Sequence, residues 1–485
     1  MRKYIKYFVL AGLVAFLASC NKDDEPGGGE TPPPAPPPAP AEDILPKKEM
    51  RAAWIATVWS LDWPQEVYDA AGQKQKFIDY LDAFAALNIN AAFVQIRPTA
   101  DAFYDSPFEP WSKEITGEAG KDPGYDVLQF MIDEAHKRNI EFHAWMNPYR
   151  ISRRTDKNSS FPALDSKIPA ALVKDYDKIR IYNPALPEAQ QRIADIVKDV
   201  ITKYDVDGIH FDDYFYPDPG DYTSLDDTQE YNTYGAGYAT VNEFRFGNVN
   251  KVVQKVHDII VQEKPGVVFS ISPASGDSYN RTLYADAPKW CQEGWVDIII
   301  PQIYQGTGSG TSNFSALLNW WNQYNYKAAL MIGYALYKFG DPEAGAVFQT
   351  TAELEQQFSL ANAKPKVQGS VLYSAHYIPD NKIGITNTLR KLYKNPAVRP
   401  FAGRTTVSPP APASNVRLSG ATLRWNAAAE LQSVVYLLPE NDTKAQVVAI
   451  TPADSCPVSL KGAYFVSTIN RDNTESEVSA QVIYK

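Results

Sequence analysis

The chain has 485 residues, a formal net charge of −10 at pH 7, and a composition that is 44% hydrophobic and 12% aromatic. This length and apolar content indicate a globular protein with more than one domain. The negative charge argues against a nucleic-acid partner, because no basic patch is present to neutralise phosphates.

Residues 1–20 have the pattern of a bacterial secretion signal. Basic residues precede the apolar stretch 8–17, which is too short to span a bilayer as a mature helix. The segment ends in Leu17-Ala18-Ser19-Cys20, which resembles the lipobox of bacterial lipoproteins. This resemblance implies cleavage before Cys20, and we therefore expect a lipid anchor on Cys20. The acidic run 21–25 is similar to an outer-membrane sorting signal, so we predict an outer-membrane lipoprotein that is surface-exposed or faces the periplasm.

Residues 21–45 are rich in Gly, Pro and Ala, which predicts an extended tether. From 46 to 400, apolar runs suited to buried parallel strands alternate with helical patterns. The predicted strands are 52–59, 91–97, 140–147, 206–211, 267–272, 296–304, 328–334 and 368–375. Eight such units predict an α/β fold, a (β/α)8 TIM barrel. A doubly wound sheet is the alternative, but the chain has no Gly-rich turn with dinucleotide or Walker spacing, and we expect no cofactor.

The C-terminal part has a different pattern. We predict a linker at 401–415 and a small all-β domain at 416–485 built from short β patterns. The positions of Trp425 and Tyr464 resemble those in a fibronectin type III sandwich, with another small β-sandwich as the alternative. Cys291 and Cys456 fall in different predicted domains, so we expect no disulfide between them.

The carboxyl ends of the barrel strands meet at one end of a TIM barrel, where the active sites of such enzymes lie. In this chain those ends carry planar and polar side chains, which suit stacking on sugar rings and binding of hydroxyl groups. Taken singly, Trp54 and His210 also fit a packed core, and Arg97 also fits an ion pair with Asp101 or Asp212. The candidate substrate-binding residues are Trp54, Gln95, Arg97, Tyr104, His143, Trp145, Asn147, Arg150, His210, Tyr214, Tyr216, Gln302, Tyr304, Tyr334 and Tyr373.

The segment Asp207-Gly208-Ile209-His210-Phe211-Asp212-Asp213-Tyr214 is the most informative motif. A short apolar strand runs directly into two carboxylates, although an unpaired charge is costly to bury at a strand end. A simple turn rich in Asp is the alternative interpretation. At the mouth of a barrel, such carboxylates are candidates for acid/base chemistry.

The stretch 47–395 resembles the glycosyl-hydrolase-like family 10 barrels. The matching blocks, in order, are Arg51-Ala52-Ala53-Trp54, Phe93-Val94-Gln95-Ile96-Arg97-Pro98 with Asp101-Ala102, His143-Ala144-Trp145-Met146-Asn147-Pro148-Tyr149-Arg150, the segment from Asp207 to Pro217, and Pro301-Gln302-Ile303-Tyr304. The resemblance implies glycoside hydrolysis and, from a characterised relative, cleavage of peptidoglycan glycan strands stripped of their peptides.

The segment from Gly208 to Asp212 is also similar to the Gly-Phe-Arg-Leu-Asp pattern of α-amylase-type barrels. That similarity implies Asp212 as the nucleophile, with His210 in the place of the arginine. Enzymes of that clan carry their acid as a Glu on strand five, where this chain has Ser272-Pro273-Ala274. The identity of the acid is therefore open.

We expect an O-glycosyl hydrolase in which Asp212 stays ionised, held by His210 and Arg97, while a second carboxyl is protonated. The candidates for that acid are Asp213, Asp277 and Asp101, in this order. The expected partner is an oligo- or polysaccharide. The sequence leaves open whether hydrolysis retains or inverts the configuration at the anomeric carbon. One alternative is a metal-dependent hydrolase or deacetylase, although the histidines lack ligand spacing and we expect no metal. A catalytically inactive glycan-binding lipoprotein is the other.

Overall fold

The computed structural model describes residues 42–485 except 309, 311, 405 and 406. The predicted signal peptide, the lipobox Cys20 and the tether up to residue 41 lie outside the described residues. Within them, none of the helices has the length and apolar character needed to cross a bilayer.

Strands occupy both the predicted barrel and the C-terminal part of the chain. In chain order they are β1 Met50–Ile55, β2 Ala91–Arg97, β3 Glu141–Met146, β4 Arg150–Arg153, β5 Val173–Asp175, β6 Ile179–Tyr182, β7 Gly208–Phe211, β8 Val268–Ile271, β9 Ile298–Ile299, β10 Ala329–Ala335, β11 Val367–Tyr373, β12 Ser414–Ser419, β13 Thr422–Asn426, β14 Gln432–Pro439, β15 Gln446–Thr451, β16 Ser455–Pro457, β17 Gly462–Ile469 and β18 Val482–Tyr484.

The α-helices lie mainly between the barrel strands. They are α1 Ala70–Ala85, α2 Lys113–Thr116, α3 Val127–Lys137, α4 Pro187–Lys203, α5 Thr228–Tyr234, α6 Val241–Glu263, α7 Asp277–Thr282, α8 Ala287–Glu293, α9 Phe314–Tyr324, α10 Ala352–Asn362, α11 Tyr377–Asp380 and α12 Ile385–Leu392. Their first turns follow local rules. The Asp69 side chain, for example, accepts the Gly72 amide at the start of α1, and Pro187 occupies the first turn of α4, where its missing N–H is not needed.

The predicted TIM barrel is confirmed. In the part of the chain that the structure describes, β1, β2, β3, β7, β8, β9, β10 and β11 form one closed parallel sheet in sequence order, and β11 closes against β1. Side chains alternate between two cores, as the period of two along a strand requires. On β1, Ala52 and Trp54 face the barrel interior, whereas Ala53 and Ile55 pack against the surrounding helices.

A small antiparallel sheet of order β4-β6-β5 is inserted between β3 and β7. The sequence patterns did not predict it, because its strands are short and only partly buried. It follows the carboxyl end of β3, so it stands at the mouth of the barrel and extends one wall of it.

The C-terminal part forms two antiparallel sheets, of order β12-β13-β16 and β15-β14-β17-β18 in the described chain. Leu423 and Trp425 from the first sheet pack against Val435 and Val466 from the second, so the sheets form a sandwich. The Tyr464 hydroxyl donates to the Leu460 carbonyl oxygen at 2.8 Å, which is the tyrosine corner of immunoglobulin-like sandwiches. The all-β prediction is confirmed, and the fibronectin type III assignment stays a prediction that this corner supports.

The sandwich packs on the barrel end formed by the amino ends of the strands. Oε1 of Glu141, the first residue of β3, lies 2.9 Å from Nε of Arg399. The same oxygen accepts a hydrogen bond from the Asn473 side-chain amide at 2.6 Å. Burial opposes the ionisation of Glu141, but Arg399 and His143 together lower its pKa to about 2. The Ala445 amide bonds to the Ile44 carbonyl oxygen at 2.8 Å, so the last residues of the predicted tether also contact the sandwich.

Part of the predicted linker 401–415 is held in place, because Arg404 lies 2.5 Å from Asp297 of the barrel. Cys291 and Cys456, the cysteines within the described residues, are buried and free, in agreement with the expectation that they form no disulfide.

Gly208 is tightly packed beneath Asp212 and Asp213, the carboxylates at the end of β7, and a substitution there tests this packing. A Cβ at Gly208 would lie 2.1 Å from Nδ1 of His143, which is fully buried. We expect Gly208→Ala to lower the free energy of unfolding by about 1–3 kcal/mol through overpacking. Gly266→Ala is the control, because a Cβ at Gly266 meets nothing within 4 Å. Denaturant unfolding of both variants measures the difference, and equal stability would contradict the predicted clash.

Candidate active site

Trp54 and His210 form the floor of the barrel mouth. The Trp54 Nε1–H donates to His210 Nε2 at 3.1 Å, and His210 Nδ1 lies 2.8 Å from the Ser270 hydroxyl oxygen. Because Nε2 accepts a hydrogen bond, the ring proton sits on Nδ1 and points to Ser270. Burial lowers the pKa of His210 well below its ordinary value. His210 is therefore a neutral group that orients Trp54, and it does not hold Asp212 as the sequence predicted.

Asp212 follows β7 and is almost fully buried. Its Oδ2 accepts Trp145 Nε1–H at 3.1 Å, and its Oδ1 accepts the Asn147 side-chain amide at 3.0 Å. Burial raises the pKa of Asp212 to about 6, although the charge of Arg150 and these two hydrogen bonds oppose the rise. Two neighbouring residues at the end of β3 thus fix both oxygens of this carboxylate.

Asp213 lines the same cavity and is partly exposed. Burial, and then the charge of Asp212, raise its pKa to about 7, while the Gln302 side chain lowers it by hydrogen bonding. Gln302 itself donates to the Ser272 carbonyl oxygen at 3.0 Å. Because two adjacent carboxylates in a poorly solvated site do not both ionise readily, burial and mutual repulsion favour a form of the pair that carries one proton.

Arg150 supplies the positive charge of the site. Its guanidinium lies 3.9 Å from the centroid of the Tyr214 ring, which holds it beside the carboxylates. Its charge lowers the pKa of both Asp212 and Asp213. The sequence assigned this electrostatic role to Arg97, and the structure gives it to Arg150.

Arg97 points away from the site. It forms a two-pronged ion pair with the buried Glu109, with a distance of 2.7 Å between Nε and Oε2. A regular alternation along β2 would put Gln95 and Arg97 on one face, but the pairing of β2 with β3 shifts between them, so Arg97 pairs with Met146. This one-residue bulge turns Arg97 to the outside of the barrel.

The mouth encloses a cavity of about 610 Å³, large enough for several sugar-sized groups. Of the sequence-predicted residues, those that line it are Trp54, Gln95, Trp145, Arg150, Asp212, Asp213, Tyr214, Gln302, Tyr304 and Tyr373. Asn147 and His210 lie directly behind this lining and hold Asp212 and Trp54, respectively.

The other candidate acids lie elsewhere. Asp101 accepts the Thr99 backbone amide and hydroxyl in a loop. Asp277 begins the short helix α7 and pairs with Arg281 at 2.8 Å. Neither lines the cavity. The remaining candidate for the acid is Asp213.

Several predicted sugar-binding residues are buried away from the cavity. Tyr104 packs edge-on against Tyr204, and Tyr216 packs against Tyr284. His143 lies deeper in the barrel against Phe93, with its ring centroid 4.5 Å away. Tyr104 and Tyr216 lie in the loops after β2 and β7 and turn into the core, whereas His143 lies in the middle of β3, below the mouth.

Tyr334 stacks on Phe358 of α10 at a centroid distance of 4.5 Å, outside the barrel. Its neighbour Gly333 faces the barrel interior, where a Cβ would meet the Trp54 ring at 3.0 Å. The alternation along β10 therefore puts Tyr334 on the outer face.

Sequence reasoning missed part of the cavity wall. Arg153, at the end of β4, pairs with Asp221 at 2.5 Å, and both line the cavity together with Asp218 and Tyr377. The alternation of Arg150-Ile151-Ser152-Arg153 is the one local signal for β4. No local signal predicts that Arg153 pairs with Asp221, which lies 68 positions later in the sequence.

Within the residues that the structure describes, no group of three or more His, Cys, Asp or Glu side chains is arranged to hold a metal ion. His210 and Asp212, the ligands of the metal-dependent alternative, bind different neighbours.

Comparison with known proteins identifies the family of the chain. Residues 49–349 match the model of the family described as glycosyl hydrolase-like 10. Glycosyl hydrolase YngK of Bacillus subtilis (strain 168) is 38% identical over 378 residues, which cover 73% of each chain. Glycosyl hydrolase DigH of Escherichia coli (strain K12) is 36% identical over 410 residues, which cover 76% of this chain and 92% of DigH.

Among solved structures, the PgaB (BpsB) glycoside hydrolase domain from Bordetella bronchiseptica is 12% identical with a TM-score of 0.49, and the match covers 71% of this chain and 98% of that domain. The family match, over residues 49–349, spans most of the barrel and includes the segment that contains Asp212 and Asp213. The chain belongs to the glycosyl hydrolase-like 10 family.

Proposed function

We propose that this protein is a glycoside hydrolase that cleaves a polymeric glycan by acid/base chemistry of Asp212 and Asp213. The observation that carries the proposal is the pair itself. One carboxylate is fixed by Trp145 and Asn147, and its neighbour faces the cavity with a pKa raised to about 7. A carboxyl that is protonated near neutral pH is what a glycosidase needs as its general acid.

The proposed steps divide the work between the two groups. Asp213 gives its proton to the glycosidic oxygen as the bond from that oxygen to the anomeric carbon breaks. Asp212, ionised, stabilises the positive charge that develops on the sugar. A water molecule then adds to the anomeric carbon, and the proton it loses restores Asp213. Among the candidates that the sequence left open, this proposal takes Asp213 as the acid, because Asp101 and Asp277 do not line the cavity.

We infer that the substrate is a peptidoglycan glycan strand or another polysaccharide. The rim of the cavity carries flat aromatic side chains, including Tyr214, Tyr337 and Tyr373, which suit sugar rings. The resemblance of the chain to its family supports peptidoglycan strands stripped of peptides.

The lipobox at Cys20 supports a lipoprotein anchored in the outer membrane. The sandwich packs at the barrel end opposite the cavity and leaves the mouth open. We propose that it acts as a spacer or docking unit in the cell envelope.

Removal of either carboxylate tests the chemistry. We expect Asp213→Asn and Asp212→Asn each to reduce kcat by about 100-fold or more, since each removes a charge or proton used in the reaction. The assay is incubation of residues 46–485 with peptide-free glycan strands and a polysaccharide panel, with products measured by mass. Asp258→Asn, on the surface of α6, is the matched control. Activity within about tenfold of the unaltered protein would refute the assignment, and binding without turnover would support the inactive-receptor alternative.

The pH dependence follows from the two raised pKa values. Activity requires an ionised Asp212, and this group becomes protonated as the pH drops below about 6. Activity also requires a protonated Asp213, and this group loses its proton as the pH rises above about 7. We therefore expect kcat/KM on glycan strands to pass through a maximum near pH 6–7. A profile that stays flat from pH 5 to pH 9, beyond both values by about one pH unit or more, would contradict this pairing.

Arg150 sets the acidic limb of that profile. Because its charge lowers the pKa of Asp212, Arg150→Gln is expected to raise that pKa and move the acidic limb to higher pH. The comparison is the pH profile of kcat/KM for this variant and for Arg281→Gln, since Arg281 pairs with Asp277 outside the cavity. An acidic limb that stays in place in Arg150→Gln would show that Arg150 does not control Asp212.

A further inference from the structure

Trp59 is an exposed tryptophan at the rim of the cavity. Its side chain is 71% exposed, and it lines the cavity together with Val58 and Leu61. Its backbone is left-handed, with φ 52° and ψ 29°, a conformation that disfavours a bulky residue. Neither core packing nor local backbone preference explains a tryptophan at this position.

The loop that carries Trp59 is held by Gln95 from inside the barrel. Oε1 of Gln95 accepts the backbone amides of Thr57 at 3.0 Å and Val58 at 2.9 Å. The Thr57 hydroxyl donates to the Gln95 carbonyl oxygen at 2.7 Å. Gln95 was predicted to bind substrate, and its carboxamide oxygen is instead committed to the two residues before Trp59.

A second anchor is the fully buried Asp62. Its Oδ2 accepts the Ala56 amide at 2.7 Å, and its Oδ1 accepts the Ser374 hydroxyl at 2.8 Å. The Tyr80 hydroxyl donates to its carbonyl oxygen at 2.9 Å. The loop is thus fixed on both sides of Trp59, while the indole itself faces the cavity.

A flat apolar ring carried on a fixed loop is suited to stacking on a sugar ring, because the loop backbone loses little conformational freedom on binding. Trp59 follows β1, whereas Asp212 and Asp213 follow β7, and β2 and β3 lie between these strands in the barrel. Trp59 and the two carboxylates therefore line the same cavity from different strands of the barrel.

We propose that Trp59 is a stacking platform for a distant sugar unit of a bound glycan, and that it makes this protein prefer long strands over short oligosaccharides. The proposal rests on the proposed function, since it assumes that the cavity binds a glycan. Gln95 is a positioning residue in this scheme, because it acts on the glycan through the loop that presents Trp59.

The test compares binding of two glycan lengths. Peptide-free peptidoglycan strands and the tetrasaccharide of the same repeat are titrated calorimetrically into Asp213→Asn, so that turnover is not required. Addition of Trp59→Ala is expected to weaken long-strand binding about 3- to 10-fold and tetrasaccharide binding by less than about twofold. Trp59→Phe, which keeps a flat ring, is expected to retain most of the affinity. In the active protein, Trp59→Ala raises KM on long strands and leaves kcat unchanged.

Tyr326→Ala is the matched control. Tyr326 is 46% exposed with a left-handed φ of 44°, but it precedes β10 at the opposite end of the barrel. This substitution is expected to change neither affinity. Gln95→Leu is expected to reproduce the long-strand loss seen with Trp59→Ala, and the two losses are expected not to add.

The proposal would be wrong if Trp59→Ala lost the same affinity for both glycan lengths or kept its affinity for long strands. It would also be wrong if none of the variants bound long strands. Failure of the proposed function has a different signature. In that case the unaltered protein leaves long strands intact, while the length-dependent loss of binding in Trp59→Ala remains measurable.

Discussion

The site depends on two adjacent carboxylates held in a poorly solvated cavity at the end of one strand. Burial makes the ionisation of both groups costly, so the difference between their surroundings decides which one carries the charge. Trp145 and Asn147 donate hydrogen bonds to Asp212 and favour its ionised form. Asp213 receives less support and is further disfavoured by its neighbour's charge. A proton is thereby kept where the proposed reaction uses it.

The neutral floor beneath the carboxylates is as important as the charges around them. His210 carries no charge because it is fully buried, and it uses its free nitrogen to hold the Trp54 ring. The guanidinium whose charge lowers the pKa of both carboxylates is that of Arg150, which is stacked on the Tyr214 ring. Polar contacts between β1, β3 and β7 thus build one site from strands far apart in sequence.

The two ends of the barrel are specialised. The amino ends of the strands pack against the sandwich through polar contacts such as the one between the Asn473 side-chain amide and Glu141. The carboxyl ends carry the loops, the inserted sheet β4-β6-β5 and the cavity. The sandwich and the cavity lie at opposite ends of the barrel. The contacts that hold the sandwich therefore do not occupy the surface that a glycan would need.

The local pattern was sufficient for the fold. Eight apolar runs separated by helical patterns predicted the barrel, since burial on both faces leaves a continuous apolar signature in each strand. The same pattern placed Asp212 and Asp213 at the mouth. The family resemblance was likewise carried by contiguous blocks, which need no knowledge of distant contacts.

The sequence by itself determined the class of fold, the order of the strands and which end of β7 carries the carboxylates, because these follow from the periodicity of the side chains. Only the tertiary structure decided which side chains pair with one another. The bulge after Gln95 turned Arg97 outward to Glu109, and the inserted sheet brought Arg153 to Asp221. These pairings depend on strand register and on long-range contacts, and a linear pattern does not encode either of them locally.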